Sequence, residues 1–149
     1  MYEELLKLDN QLCFRLYSVS RKMTRLYQPW LQKYNLTYPQ YIVMLVLFEH
    51  KAIDFKDLSV KLDLKTGTLT PILQKLEEIG YLDRQPNPKD SRRKNIVLTD
   101  QGIQLQKDVI EVPIKLAGKL QDLRDTYQGI ISDLDHLKDV LDHAITKQD

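Results

Sequence analysis

The chemistry of this chain is concentrated in two short stretches. The first is Asp90-Ser91-Arg92-Arg93-Lys94-Asn95-Ile96-Val97-Leu98-Thr99, where positive charge on a turn-rich loop runs into an alternating apolar strand and a helix cap. The second is Lys65-Thr66-Gly67-Thr68-Leu69-Thr70-Pro71, a small polar opening to an amphipathic helix. A helix enters the major groove of DNA only if its exposed start is slim and polar. Thr66, Thr68 and Thr70 meet that need, and Gln74 and Lys75 one turn later can read base edges or hold phosphate. Arg92 or Arg93 at a hairpin tip would suit a narrow minor groove. Each feature alone also fits a capped helix or a solvated loop. In this order and spacing they point together to DNA.

Charge supports that reading. Residues 84–94 carry Arg84, Lys89, Arg92, Arg93 and Lys94 against Asp90 alone, although the whole chain of 149 residues has a net charge of only +1. A local basic patch on a near-neutral protein favours a defined contact over indiscriminate polyanion binding. No apolar run approaches the ~20 residues needed to cross a bilayer, and no signal-peptide pattern opens the chain, so a cytoplasmic location is expected. The three histidines do not cluster with acids as metal ligands, and no phosphate loop or nucleophile–base arrangement is present. No cofactor, metal, membrane partner or enzymatic activity is expected.

These stretches must be positioned by helices. Leu5, Leu8, Leu12, Leu16, Val19, Met23, Leu26 and Trp30 recur at steps of three and four, predicting one long first helix that Pro29 kinks or ends. Part of that stripe is either buried on its own core or covered by a second copy of the chain. Thr37-Tyr38-Pro39-Gln40 is a capping box opening an apolar helix to about His50. Asp54 caps a short helix over Phe55–Leu62. The next helix ends near Ile79 at Gly80, and Pro71 requires that it begin at Thr68 or bend in its first turn. Tyr81–Gln85 and Asn95–Leu98 read as two strands of a hairpin. Thr99 caps a helix that Pro113 interrupts, and a last amphipathic helix starts at Tyr127. The expected fold is mainly α, with a single β-hairpin.

With these elements in place, the chain resembles the MarR family of bacterial regulators over roughly residues 8–145. Asp90, Arg92 and the Leu98-Thr99 ending match that family's Asp-x-Arg wing signature. The resemblance implies a winged helix-turn-helix homodimer on a pseudo-palindromic operator of double-stranded DNA. Residues 1–36 and 113–149 would supply the dimerisation helices and 37–112 the DNA-binding lobe of a single MarR-type domain. It also implies that Asp90 orients Arg92. Relatives usually carry Asp-Ser or Asp-Thr where this chain has Lys65-Thr66, so either an altered operator preference or an added phosphate contact at Lys65 is expected.

Leu8-Asp9-Asn10-Gln11-Leu12-Cys13-Phe14, Asn35-Leu36-Thr37-Tyr38-Pro39-Gln40-Tyr41 and Gly67-Thr68-Leu69-Thr70-Pro71 are similar to the one-cysteine, OhrR/MgrA/SarZ-like branch. There a lone cysteine senses organic hydroperoxide, its thiolate held by tyrosine hydroxyls of the partner subunit. The matching positions are Cys13, Tyr27 and Tyr38, with Tyr17 nearby. The chemistry is sound in its own right: a free thiol with pKa ~8.5 is mostly protonated at neutral pH, and phenol donors stabilise the reactive anion. Tyr17 shares a helix face with Cys13, whereas Tyr27 is about 21 Å along the axis and meets a Cys13 only from a second chain or a folded-back neighbour. With no second cysteine, the sulfenic acid would be resolved by a low-molecular-weight thiol. A buried structural cysteine, release by a small aromatic ligand, and a thiol peroxidase are the alternatives. The last leaves the DNA features unexplained.

Overall fold

The computed structural model describes residues 2–147, which form two compact units meeting in sequence between Val112 and Pro113. The first unit holds the fold's core. It opens with α1 (Tyr2–Leu5) and a 3₁₀ turn (Leu8–Asn10), followed by α2 (Leu12–Leu31) and a second 3₁₀ turn (Gln32–Tyr34). Then come α3 (Tyr38–His50), β1 (Ala52–Asp54), α4 (Phe55–Leu62) and α5 (Thr66–Ile79). A hairpin of β2 (Leu82–Asn87) and β3 (Asp90–Leu98) leads into α6 (Asp100–Asp108).

α3 is the centre because its sequence leaves it no polar face. Val43, Met44 and Leu47 are fully buried, as are Leu58 of α4, Leu69, Leu73 and Leu76 of α5, and Leu82 and Ile96 of the sheet. The Thr37 hydroxyl accepts from the Gln40 amide while the Gln40 side chain accepts from the Thr37 amide at 2.8 Å, so the expected capping box is formed. Asp54 caps α4 as expected, accepting from the Lys56 amide at 2.9 Å. Gly80 ends α5 at φ 92°, the left-handed conformation that a Cβ disfavours.

The structure corrects the first helix, the start of α5 and the sheet. The first helix is not continuous: side chains of Asn10, Gln11 and Arg15 bond the carbonyls of Glu4, Leu5 and Asp9, diverting the chain into a 3₁₀ turn before α2 begins. α2 ends at Leu31, two residues past Pro29, so the helix does end near that proline. α5 starts at Thr66 rather than Thr68 and carries Pro71 within it. The sheet has three strands in the order β1-β3-β2, all antiparallel, so β3 is central and the hairpin is not alone. Its strands also run further than predicted, leaving only Pro88 and Lys89 as the turn.

The second unit contains α7 (Glu111–Lys119) from Pro113 onward, a 3₁₀ turn (Gln121–Leu123) and α8 (Tyr127–Thr146). Pro113 sits in the first turn of α7, where its missing N–H costs nothing. α8 is amphipathic, yet Ile130, Leu134, Leu141 and Ile145 remain exposed. Among the described residues no helix is long and apolar enough to cross a membrane.

Candidate nucleic-acid interface and redox residues

The start of α5 and the basic strand β3 border one open cleft of about 750 Å³. Thr66 and Thr70, one turn apart on α5, line it together with Lys56 from α4 and Arg84, Arg92, Arg93 and Lys94 from the hairpin. The helix start is slim: a Cβ on Gly67 would meet nothing within 4 Å. Lys65 is its N-cap and makes no side-chain cap bond; the Thr68 amide turns back to the Lys65 carbonyl at 3.0 Å, which leaves the Thr66 and Gly67 amides open to an anionic ligand. An aspartate at that position would have closed them.

The cations of this region fall into two groups. Arg84 donates to Glu77 at 2.9 Å, Lys75 pairs with Glu78 at 3.1 Å, and Arg93 is held by Asp54 at 2.9 and 3.0 Å. Lys56, Lys65, Arg92 and Lys94 have no ion-pair partner among the described residues. Gln74 also turns to Glu78, at 3.5 Å, so Gln74 and Lys75 share one acid rather than projecting freely. Thr68 is fully on the solvent side of α5.

Arg92 and Arg93 do not sit at the hairpin tip, which is Pro88-Lys89; both lie within β3. Alternation along a strand sends their side chains to opposite faces. The Asp90 carboxylate accepts the Arg92 backbone amide at 3.0 Å, a turn bond on the main chain and not on the guanidinium. The partnership of Arg93 with Asp54 was hidden because β1 itself was not predicted.

Cys13 is a free, exposed thiol near the start of α2. Tyr17, one turn on, is exposed, with the Arg21 guanidinium 5.4 Å from its ring centre. Tyr27 stands fourteen positions after Cys13 on the same unbroken helix, about 21 Å of rise. Tyr27 and Tyr38 are brought together, their ring centres 5.0 Å apart, and Tyr41 lies 5.8 Å from Tyr27. Burial raises the Tyr41 phenol above its ordinary range, keeping it neutral.

A model of the transcriptional regulators SarA/Rot matches residues 25–109. The organic hydroperoxide resistance transcriptional regulator of Bacillus subtilis is 42% identical over 113 residues, spanning 76% of this chain and 77% of that protein. The chain belongs to the MarR-type transcriptional regulators. Within them the regulator is similar to SarZ of Staphylococcus aureus, 34% identical over 134 residues and 90% of each chain. It is also similar to AbfR of Staphylococcus epidermidis in an overoxidised, DNA-bound crystal structure, with a TM-score of 0.73, 35% identity and coverage of 92% of this chain and 99% of that one. The winged-helix fold expected from the sequence is the fold of this regulator.

Proposed function

We propose that this regulator binds a pseudo-palindromic operator as a homodimer and releases it when organic hydroperoxide oxidises Cys13. The observation that carries the DNA reading is the single cleft into which Thr66 and Thr70 face together with the unpaired cations Arg92, Lys94 and Lys56. The α5 start, with Lys65, Thr66 and Thr68, enters the major groove, and Arg92 reaches the minor groove beside it. Gln74 and Lys75 follow one turn later, released from Glu78 as DNA arrives. Residues 37–112 form the reading lobe. Segments 1–36 and 113–149 supply the dimer seam, and the exposed Leu12 and Val19 of α2 and Ile130, Leu134 and Leu141 of α8 are the apolar surface a second chain would cover.

The switch rests on the geometry of α2. A tyrosine pair centred on Tyr27 and Tyr38 cannot serve its own Cys13, so the partner's thiolate receives the phenolic O–H bonds. That thiolate attacks the peroxide O–O bond, giving Cys–SOH and an alkoxide that takes a proton to leave as alcohol. A low-molecular-weight thiol then displaces water and leaves a mixed disulfide. Names carried by relatives, a hydroperoxide resistance regulator and overoxidised AbfR, support this reading.

The test uses a duplex selected from a random library by the reduced protein. Cumene hydroperoxide should release wild type from that duplex and leave Cys13→Ser bound. Wild type that stays bound after treatment overturns the switch.

A second reading is favoured by one pocket of the second unit, about 350 Å³ and lined by Leu116, Leu120, Arg124 and Tyr127. Its apolar walls and single guanidinium suit an aromatic carboxylate. Release of Cys13→Ser from the same duplex by salicylate would establish it.

A further inference from the structure

We infer that Arg93 is a wing-positioning residue and not a DNA contact, and that its salt bridge to Asp54 sets where Arg92 stands relative to α5. This rests on the DNA reading above for its consequence, but not for its geometry. In the sheet register Asp54 of β1 pairs with Asn95 of β3, so Arg93 lies two residues along on the same face. That diagonal separation, about 7–8 Å between backbones, is within reach of an arginine. Arg93 Nε donates to Asp54 Oδ2 at 3.0 Å and its terminal nitrogen approaches Asp54 Oδ1 at 2.9 Å, so both carboxylate oxygens are engaged. Asp54 is buried, and its Oδ1 also accepts the Lys56 amide that starts α4. One carboxylate thereby fixes both the helix that leads into α5 and the strand that carries Arg92.

The remaining wing contacts do not do this. β2 is an edge strand whose register shifts between Pro86 and Asn87, and the outer hairpin buries no apolar side chain. The Asp54 contact is the one ion pair among the described residues that ties β3 between Asp90 and Lys94 to the rest of the fold. Without it Arg92, the neighbouring residue on β3 and part of the same cleft, would keep its charge and lose its bearing. A guanidinium held side-on, through Nε and one terminal nitrogen, by a buried acid is a poor candidate for phosphate, because leaving would strand that acid.

Two measurements decide the matter, on Arg93→Ala, Asp54→Asn and the double variant. Asparagine caps a helix as well as aspartate, so Asp54→Asn removes the charge and keeps the α4 cap. In the free dimer, amide hydrogen exchange across residues 84–94 should rise in both single variants and rise no further in the double. On the selected duplex, each single variant should bind on the order of 10-fold more weakly, without additivity and with an unchanged salt slope. Hydroxyl-radical protection should fade at the wing position only, and Arg93→Lys should restore part of it. If Arg93→Ala instead lowers the salt slope by about one while Asp54→Asn binds as well or better, Arg93 contacts phosphate and the inference is overturned. Unchanged exchange in the free protein overturns it too. A wild type that binds no duplex defeats the DNA reading, while the exchange measurement still decides the tether.

Discussion

The Tyr34 hydroxyl donates to the Glu111 carboxylate at 2.7 Å, with the Asp108 carbonyl 3.0 Å away, joining the chain after α2 to the break between α6 and α7. The Tyr34 carbonyl in turn accepts from the Tyr81 hydroxyl at 3.0 Å, and Lys33 pairs with Glu111 at 3.2 Å. Burial first, then the bond to Glu111 and its negative charge, push the Tyr34 phenol up to about 12. The folded form thus holds this proton more tightly than the unfolded chain, whose tyrosine titrates near 10.0. The stabilisation is intact below that value and is lost as pH rises toward 12. Tyr34→Phe should therefore flatten the alkaline limb of stability, and cost about 1–2 kcal/mol at neutral pH. Denaturant unfolding as a function of pH checks both.

The acid limb belongs to Asp54 and Glu77. A hydrogen bond from Arg93 holds the Asp54 carboxyl below its ordinary range, and one from Arg84 does the same for Glu77. Both are depressed in the folded state, so their stabilisation is present above the usual carboxylate pKa and is lost as pH falls through the lower, folded values. Asp54→Asn should unfold with a shallower dependence on pH below about 4, the unfolded aspartate value. An acid limb identical to wild type would contradict this account.

Gly102 is required by its surroundings rather than by its helix. A Cβ there would stand 2.3 Å from the Tyr81 carbonyl oxygen and 2.5 Å from Leu98 Cδ1. Thr99 holds the same junction, its hydroxyl donating to the Gly80 carbonyl at 2.6 Å and accepting from the Gly102 amide at 3.1 Å. Alanine normally strengthens a helix by about 1 kcal/mol over glycine. Gly102→Ala should do the reverse and lower stability by about 2–4 kcal/mol, since backbone must shift to admit the methyl. Thermal unfolding reads the sign directly.

Lys65 trades stability against binding. Lys65→Asp supplies the missing cap on α5 and should raise stability by about 1 kcal/mol. The same change closes the open amides to phosphate and introduces repulsion, so affinity for the selected duplex should fall. Lys65→Ala should bind more weakly with a shallower salt slope, read by titration at several ionic strengths.

Tyr38→Phe removes a phenolic donor and keeps the ring beside Tyr27. On the proposed sensor, Cys13 should react with hydroperoxide about 10-fold more slowly in this variant, with DNA affinity unchanged in the reduced state. Stopped-flow consumption of cumene hydroperoxide by the reduced dimer provides the rate.

What the sequence showed and what it concealed divide along physical lines. Boundaries set by a residue acting on its own neighbours were legible: the Thr37–Gln40 box, the Asp54 cap, Gly80 and Thr99 all stand where their chemistry put them. β1 was not, because Ala52-Ile53-Asp54 is too short to show alternation and is a strand only through its pairing with β3. The outer wing was missed for a related reason: Ser91 to Lys94 form a strand with no apolar face, so periodicity had nothing to report. The break before α2 came from side chains bonding distant carbonyls, which the hydrophobic stripe does not record. At the candidate cleft, Thr66, Thr70, Arg92 and Arg93 had been named from the sequence, and the ion pair that ties Arg93 to Asp54 had not. Which arginine is tied down depends on a strand that only the fold creates.

The length of α2 has one more consequence for the proposed sensor. Because a rod of that length keeps Cys13 and Tyr27 of one molecule permanently apart, a sensor assembled in trans cannot be encoded by a single polypeptide acting alone. Mixed assemblies of Cys13→Ser chains with Tyr38→Phe chains would then contain one intact centre made from two defective genes, and complementation between alleles becomes a property of the helix itself.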